Sequence, residues 1–286
     1  MPITALNGID INYEEAGAGD PLVLIHNLTS NIRGFDRNIP ALSRRFRTVA
    51  ADLRGHGYTT HEDSEARAEA FYRFDDIVDD HITLLDRLGI DRFFLFGQAY
   101  WGANTALHLF DRMPERVRGI VVSSAYMIST DPGVKTYEML GETGKQNFIR
   151  MHELARREGM LAVYDDRLKY GQFWSERLRG DAGILAEFKD AHRLTSPTAF
   201  VTIPHIGHER RAAIAAKLRA RATPLMLLLG ADDTNNDQMI AGMRQDCPDV
   251  HIVMIPESGH YPTIENPRDF NHALLNFYAG AREESK

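Results

Sequence analysis

The feature that most constrains this chain is a repeated alternation of short, continuously apolar runs with longer stretches of helical spacing. The apolar runs are Pro21-Leu-Val-Leu-Ile-His26, Arg47-Thr-Val-Ala-Ala-Asp-Leu53, Arg92-Phe-Phe-Leu-Phe-Gly97, Gly119-Ile-Val-Val-Ser123, Pro224-Leu-Met-Leu-Leu-Leu-Gly230 and His251-Ile-Val-Met-Ile-Pro256. They lack the apolar–polar alternation of a half-exposed strand, so they read as strands of a parallel sheet covered on both faces. Between them, Phe74, Ile77, Val78, Ile82, Leu85 and Leu88 recur at helical spacing, as do Phe270, Leu274 and Phe277. Strand followed by helix gives right-handed crossovers, and hence a mostly parallel, doubly wound α/β sheet. Ligands then sit beyond the carboxyl ends of the strands.

One stretch departs from this order. From 129 to 215 the pattern is helical and highly charged, with aromatics at Tyr137, Phe148, Tyr164, Tyr170, Phe173 and Trp174 and with Pro132, Gly133, Pro197 and Pro204 near its ends. This reads as a helical cap inserted into a core made of 1–128 and 216–286. A chain of 286 residues is long enough to bury such a core.

The formal charge of -7 argues against nucleic acid or an anionic membrane as partner, since both require clustered Lys and Arg. A small molecule is the expected partner. The single cysteine, Cys247, excludes an intramolecular disulfide and a multi-thiolate metal site, so no metal and no cofactor are expected. The first residues lack a basic region followed by an apolar one, and no apolar run reaches the length of a membrane span; a cytoplasmic protein is expected. Association into a homo-oligomer is compatible with the sequence.

The chemistry-bearing residues follow strands. Leu95-Phe-Gly97-Gln98-Ala99-Tyr100-Trp101-Gly102-Ala103 is a strand, a tight turn and the start of a helix. Such a turn projects one side chain above the sheet at a helix N-terminus, where negative charge is stabilised. The segment resembles the GxSxG elbow of the α/β-hydrolase superfamily, with Gly97 as first glycine, Ala99 at the nucleophile's position and Trp101 where a glycine is usual.

That resemblance extends through the chain. Gly230-Ala-Asp232-Asp233 resembles the family's strand-end acid, usually three residues after a glycine, which selects Asp233. Asp232 reads as a solvated turn residue or the cap of a helix beginning near Asn236. The alternative location, after the preceding strand, reads Ser123-Ser124-Ala125-Tyr126 and holds no carboxylate. Pro256-Glu-Ser-Gly259-His260-Tyr-Pro262 resembles the hydrolase histidine loop, which implies His260 as base.

His26-Asn27-Leu28-Thr29-Ser30 resembles the family's His-Gly turn, with Asn27 in the glycine's place, where asparagine tolerates left-handed backbone angles. This implies an oxyanion hole built from the Leu28 and Tyr100 amides. Asp52-Leu-Arg54-Gly55-His56-Gly57-Tyr58 resembles another superfamily segment that serves turn geometry. Asn27, Trp101, Tyr126 and Trp174 are the expected substrate contacts.

The implied activity is hydrolysis of a small-molecule ester or lactone through an acyl-enzyme, with an apolar or aromatic ligand favoured by the cap's aromatics. Ala99 carries no nucleophilic atom, so the chain as written is expected to be an impaired nucleophile variant of such an enzyme. Other readings stay open at this point. They are a carbon–carbon bond hydrolase, a His260–Asp233 dyad acting as general base in a cofactor-independent dioxygenase or lyase, and a non-catalytic ligand receptor.

Overall fold

The computed structural model describes residues 2–125, 141–171, 173–205 and 210–283. Eight strands form one sheet: β1 (Ile3–Leu6), β2 (Ile9–Ala16), β3 (Asp20–Ile25), β4 (Phe46–Ala51), β5 (Phe93–Gln98), β6 (Val117–Ser123), β7 (Leu225–Gly230) and β8 (His251–Ile255). Their order across the sheet is β1-β2-β4-β3-β5-β6-β7-β8. The β1–β2 and β2–β4 pairs are antiparallel and every other pair is parallel. The chain therefore has the expected mostly parallel α/β architecture.

The apolar runs behave as their composition requires, because successive side chains face opposite layers. Val23, Ile25, Leu95, Ile120 and Val122 enter one core layer, whereas Leu22, Leu24, Phe94, Phe96 and Val121 enter the other. Each large apolar side chain fully buried this way contributes roughly 2 kcal/mol. The exception is β8. Its run is as apolar as the rest, but as the last strand in the sheet it is half-buried, with Met254 exposed. The hairpin of β1 and β2 has no counterpart among the sequence expectations.

Short helices α1 (Ile39–Leu42) and α2 (Glu65–Phe71) precede α3 (Phe74–Arg87), whose periodic face packs on the sheet, and α4 (Ala99–Arg112) follows β5 directly. Between β6 and β7 the described chain is helical: α5 (Gly141–Glu158), α6 (Met160–Tyr170), α7 (Glu176–Gly180), α8 (Ala182–Arg193), α9 (Pro197–Thr202) and α10 (Arg211–Arg221). The boundary expected after residue 215 falls inside α10. That helix is tied to α4 by Lys217 and Arg210, both paired with the buried Asp111. The chain ends with α11 (Asn236–Asp246), α12 (Pro262–Glu265) and α13 (Pro267–Glu283), which covers the second core layer.

Candidate active site

The carboxyl ends of β3, β5, β7 and β8 converge on one place. β5 runs into α4 with no intervening loop, so Ala99 must reverse the chain, and it does so at φ +49°, in the left-handed region. An L-residue there costs about 1 kcal/mol. Two glycines let the turn sit tight against the sheet. A Cβ on Gly97 would lie 2.4 Å from the Gly102 carbonyl oxygen, and a Cβ on Gly102 would lie 2.4 Å from that of Ile25. The Ala99 N–H donates to Ser123 Oγ at 3.4 Å, which anchors the turn to β6. Tyr100 follows in the first helical turn, where backbone N–H groups have no acceptor within their own helix.

The loop after β3 is held by two buried histidines. His26 Nε2 accepts the Leu53 N–H at 2.9 Å, so its proton is on Nδ1, which donates to the Asn27 carbonyl at 2.7 Å. Burial, followed by the neighbouring His56, pushes His26 well below the usual histidine range, so the ring stays neutral. Ser30 N–H adds a second bond to the same Asn27 carbonyl at 3.1 Å. In a trans peptide the N–H points opposite to the C=O. Fixing the Asn27 carbonyl therefore fixes the Leu28 N–H in the other direction, and among the described residues this N–H has no acceptor. His56 bridges the carbonyls of Arg54 and Leu28.

One expectation here is corrected. Asn27 does not adopt the left-handed conformation; Ala99 and Ser124 do. The turn at 55–57 does need its glycines, since a Cβ on Gly57 would strike the Asp52 carboxylate at 1.9 Å.

His260 and Asp233 lie in the loops that follow the last two strands. A Cβ on Gly230 would lie 1.9 Å from the Gly259 carbonyl oxygen, so only glycine lets the histidine loop cross the end of β7. That crossing sets His260 Nδ1 2.7 Å from Asp233 Oδ2. Asp233 Oδ1 accepts the Asn235 backbone and side-chain N–H groups, both at 3.0 Å. Burial alone would raise the Asp233 pKa, but the hydrogen bonds from His260 and Asn235 outweigh it and hold the carboxyl below its usual range. Asp232 is exposed, and Asn235 stands at the N-cap of α11.

The segment between β6 and β7 reaches His260. The Phe173 ring lies 4.9 Å from the His260 ring, on a backbone at φ +60°. Ser175 Oγ donates to Glu265, which also accepts the Tyr261 N–H, so the start of α7 is tied to the loop that carries His260. Trp174 is buried among Tyr164, Phe188 and His192.

The expected substrate contacts divide. Asn27 engages the Tyr261 hydroxyl, and Tyr126 lies outside the described residues. Trp101, expected at the substrate, is instead packed in the core with its ring 6.1 Å from Phe74. Two residues after Ala99 on a helix is more than half a turn away, so Trp101 faces α3 and leaves the elbow undisturbed. Ser123, Tyr261 and Arg167 also belong to this region, with no motif to mark them in the sequence; Arg167 donates to Thr29 Oγ1 at 2.7 Å.

Together these residues are an imidazole hydrogen-bonded to a carboxylate, an N–H aimed away from a fixed carbonyl, and a helix N-terminus headed by Ala99, whose side chain is only a methyl group. Among the described residues no cluster of His, Cys, Asp and Glu is placed to hold a metal, and no helix is long and apolar enough to cross a membrane.

Comparison with known proteins agrees with this fold. The 2-(acetamidomethylene)succinate hydrolase of Mesorhizobium japonicum is 24% identical over 270 residues, covering 94% of this chain and 91% of that protein. The 2-hydroxymuconate semialdehyde hydrolase of a Pseudomonas species is 35% identical over 125 residues, 43% of this chain and 42% of that one. Among solved structures, the enol-lactonase of Burkholderia xenovorans superposes with TM-score 0.78 at 20% identity, covering 97% of this chain and 100% of that one. A family model described as alpha/beta hydrolase fold matches residues 20–267, and the chain belongs to that family.

Proposed function

We propose that this is a hydrolase site for a small-molecule carboxylic ester or lactone, built for acyl-enzyme catalysis and impaired in this chain by alanine at the nucleophile's position. The observation that carries the reading is the coexistence of the His260–Asp233 pair at 2.7 Å with a left-handed Ala99 at the head of α4. With a hydroxyl at position 99, His260 would take its proton and Asp233 would stabilise the imidazolium. The Leu28 and Tyr100 amides would receive the oxyanion. The strained backbone at 99 supports the same reading. Glycine would relieve that strain, yet a residue with a Cβ is kept at the one place where a nucleophile would project.

The test is Ala99→Ser assayed against a panel of esters and lactones. The reading requires hydrolysis well above that of the parent chain, and no gain on any member of the panel would defeat it. A second reading rests on Ala99 itself. His260 and Asp233 could act without a nucleophile as a general base on a bound acid, in a cofactor-independent dioxygenase or lyase. That chemistry would be present in the Ala99 chain and lost in His260→Ala, whereas a receptor would bind ligand without turnover. A carbon–carbon bond hydrolase would use the same residues as the ester hydrolase and would show itself on a diketone substrate.

A further inference from the structure

Arg167 on α6 is 5% exposed, yet among the described residues it forms no ion pair. Its neighbour Asp166 is unavailable, because Arg150 holds both of that carboxylate's oxygens at 2.9 Å. Arg167 Nη1 donates to Thr29 Oγ1, the guanidinium engages the Tyr261 hydroxyl, and the group lies 5.9 Å from the Phe200 ring centre. Its Nε–H is buried with no acceptor. The indole N–H of Trp174 is also buried with no acceptor. The Trp174 ring centre is 5.8 Å from that of His192, whose ring is in turn close enough to feel the Arg167 charge.

A buried guanidinium without an anion costs several kcal/mol, and each orphaned donor adds about 1–3 kcal/mol. This cluster has a cation and two unused N–H groups, and its unmet requirement is an acceptor carrying negative charge. Its position says what that anion belongs to. Thr29 directly follows Leu28, whose N–H points away from the fixed Asn27 carbonyl, and Tyr261 directly follows His260. Guanidinium recognises a carboxylate through paired N–H donors better than any other side chain does.

We propose that Arg167, with the Trp174 N–H, is the carboxylate-binding end of the substrate pocket, so that the substrate carries a free carboxylate a few bonds from its scissile carbonyl. This rests on the hydrolase reading for the identity of the scissile group, but the anion site can be tested without turnover. The Ala99 chain as it stands would be titrated calorimetrically with succinate, monomethyl succinate and dimethyl succinate. Saturable binding is expected for the first two and none for the neutral diester. Arg167→Met should weaken succinate binding by about tenfold or more, the value of a charged hydrogen-bonded pair. Arg167→Lys should fall between, and Trp174→Phe, which keeps the ring and removes only the donor, should lose several-fold.

Equal binding of the diester, or unchanged succinate affinity in both Arg167→Lys and Trp174→Phe, would overturn the proposal even if Arg167→Met failed to fold. The two claims fail separately. Arg167-dependent succinate binding with no acylation in Ala99→Ser would retain the anion site and remove the hydrolase reading. Acylation without Arg167-dependent binding would do the reverse.

Discussion

Lowering the pH from about 7 to about 5 should remove about 2 kcal/mol of folding stability through His192 alone. This ring is fully buried on α8, and its Nδ1–H donates to the Phe188 carbonyl at 2.7 Å. Burial first, then the positive charge of Arg167, push its pKa down to about 3. In the unfolded chain it titrates near its ordinary value of 6.5. Below that value the unfolded chain binds a proton that the folded chain refuses, so stability is fully present above pH 6.5 and falls as the pH falls, down to about pH 3. At about pH 5 the unfolded ring is roughly 1.5 units below its midpoint, and at about 1.36 kcal/mol per unit the loss is about 2 kcal/mol.

Any folded value below that pH gives the same loss there. His26, His56, His81 and His108 are also buried and also lowered, chiefly by burial, so their contributions have the same sign. The assay is urea denaturation followed by far-UV circular dichroism at the two pH values, for the parent chain and His192→Phe. The other histidines cancel in the comparison, and the variant should show a pH-dependent loss smaller by about 2 kcal/mol. Equal losses in the two proteins would refute the placement of a neutral, dry His192 beside Arg167.

Three further variants have defined outcomes. Gly230→Ala would put a methyl 1.9 Å from the Gly259 carbonyl oxygen, and it should cost about 3 kcal/mol in thermal or urea unfolding; Gly280→Ala, with nothing within 4 Å, should be neutral or slightly stabilising in the same assay. In an Ala99→Ser background, Asp233→Asn should lower kcat by about 10⁴ while leaving the fold intact by circular dichroism, because the amide cannot hold His260 in the required tautomer.

Much of this site is legible in the sequence because strand ends and glycines mark it. Gly97 and Gly230 stand where a backbone must pass within contact distance of another, Gly259 stands where the Ser175 side chain presses close, and Ala99, Asp233 and His260 follow these glycines in order. The buried parallel strands are equally plain, since they are continuous apolar runs. What could not be read there depends on long-range packing. The half-exposed character of β8 is a matter of its place at the sheet edge and not of its composition. The β1–β2 hairpin is short and polar enough to leave no continuous run.

Arg167 is one of 33 basic residues, and only the docking of α6 over Thr29 separates it from the solvated ones. The sequence misleads about Trp101 for the opposite reason. It is adjacent to the elbow in sequence, but helical geometry turns it toward Phe74. The left-handed Phe173 beside His260 carries no glycine or asparagine to announce its backbone.

The central claim, that position 99 is a nucleophile's seat served by His260 and the Leu28 and Tyr100 amides, is tested most directly by trapping the covalent intermediate. Ala99→Ser mixed rapidly with p-nitrophenyl acetate should release a burst of about one nitrophenol per chain, and mass spectrometry should find the acetyl group on the peptide containing position 99. The burst should be slowed by about 10⁶, effectively to nothing, when His260→Ala is added. A nitrophenol release no faster than that of the Ala99 chain, or an acetyl group located elsewhere, would contradict the account.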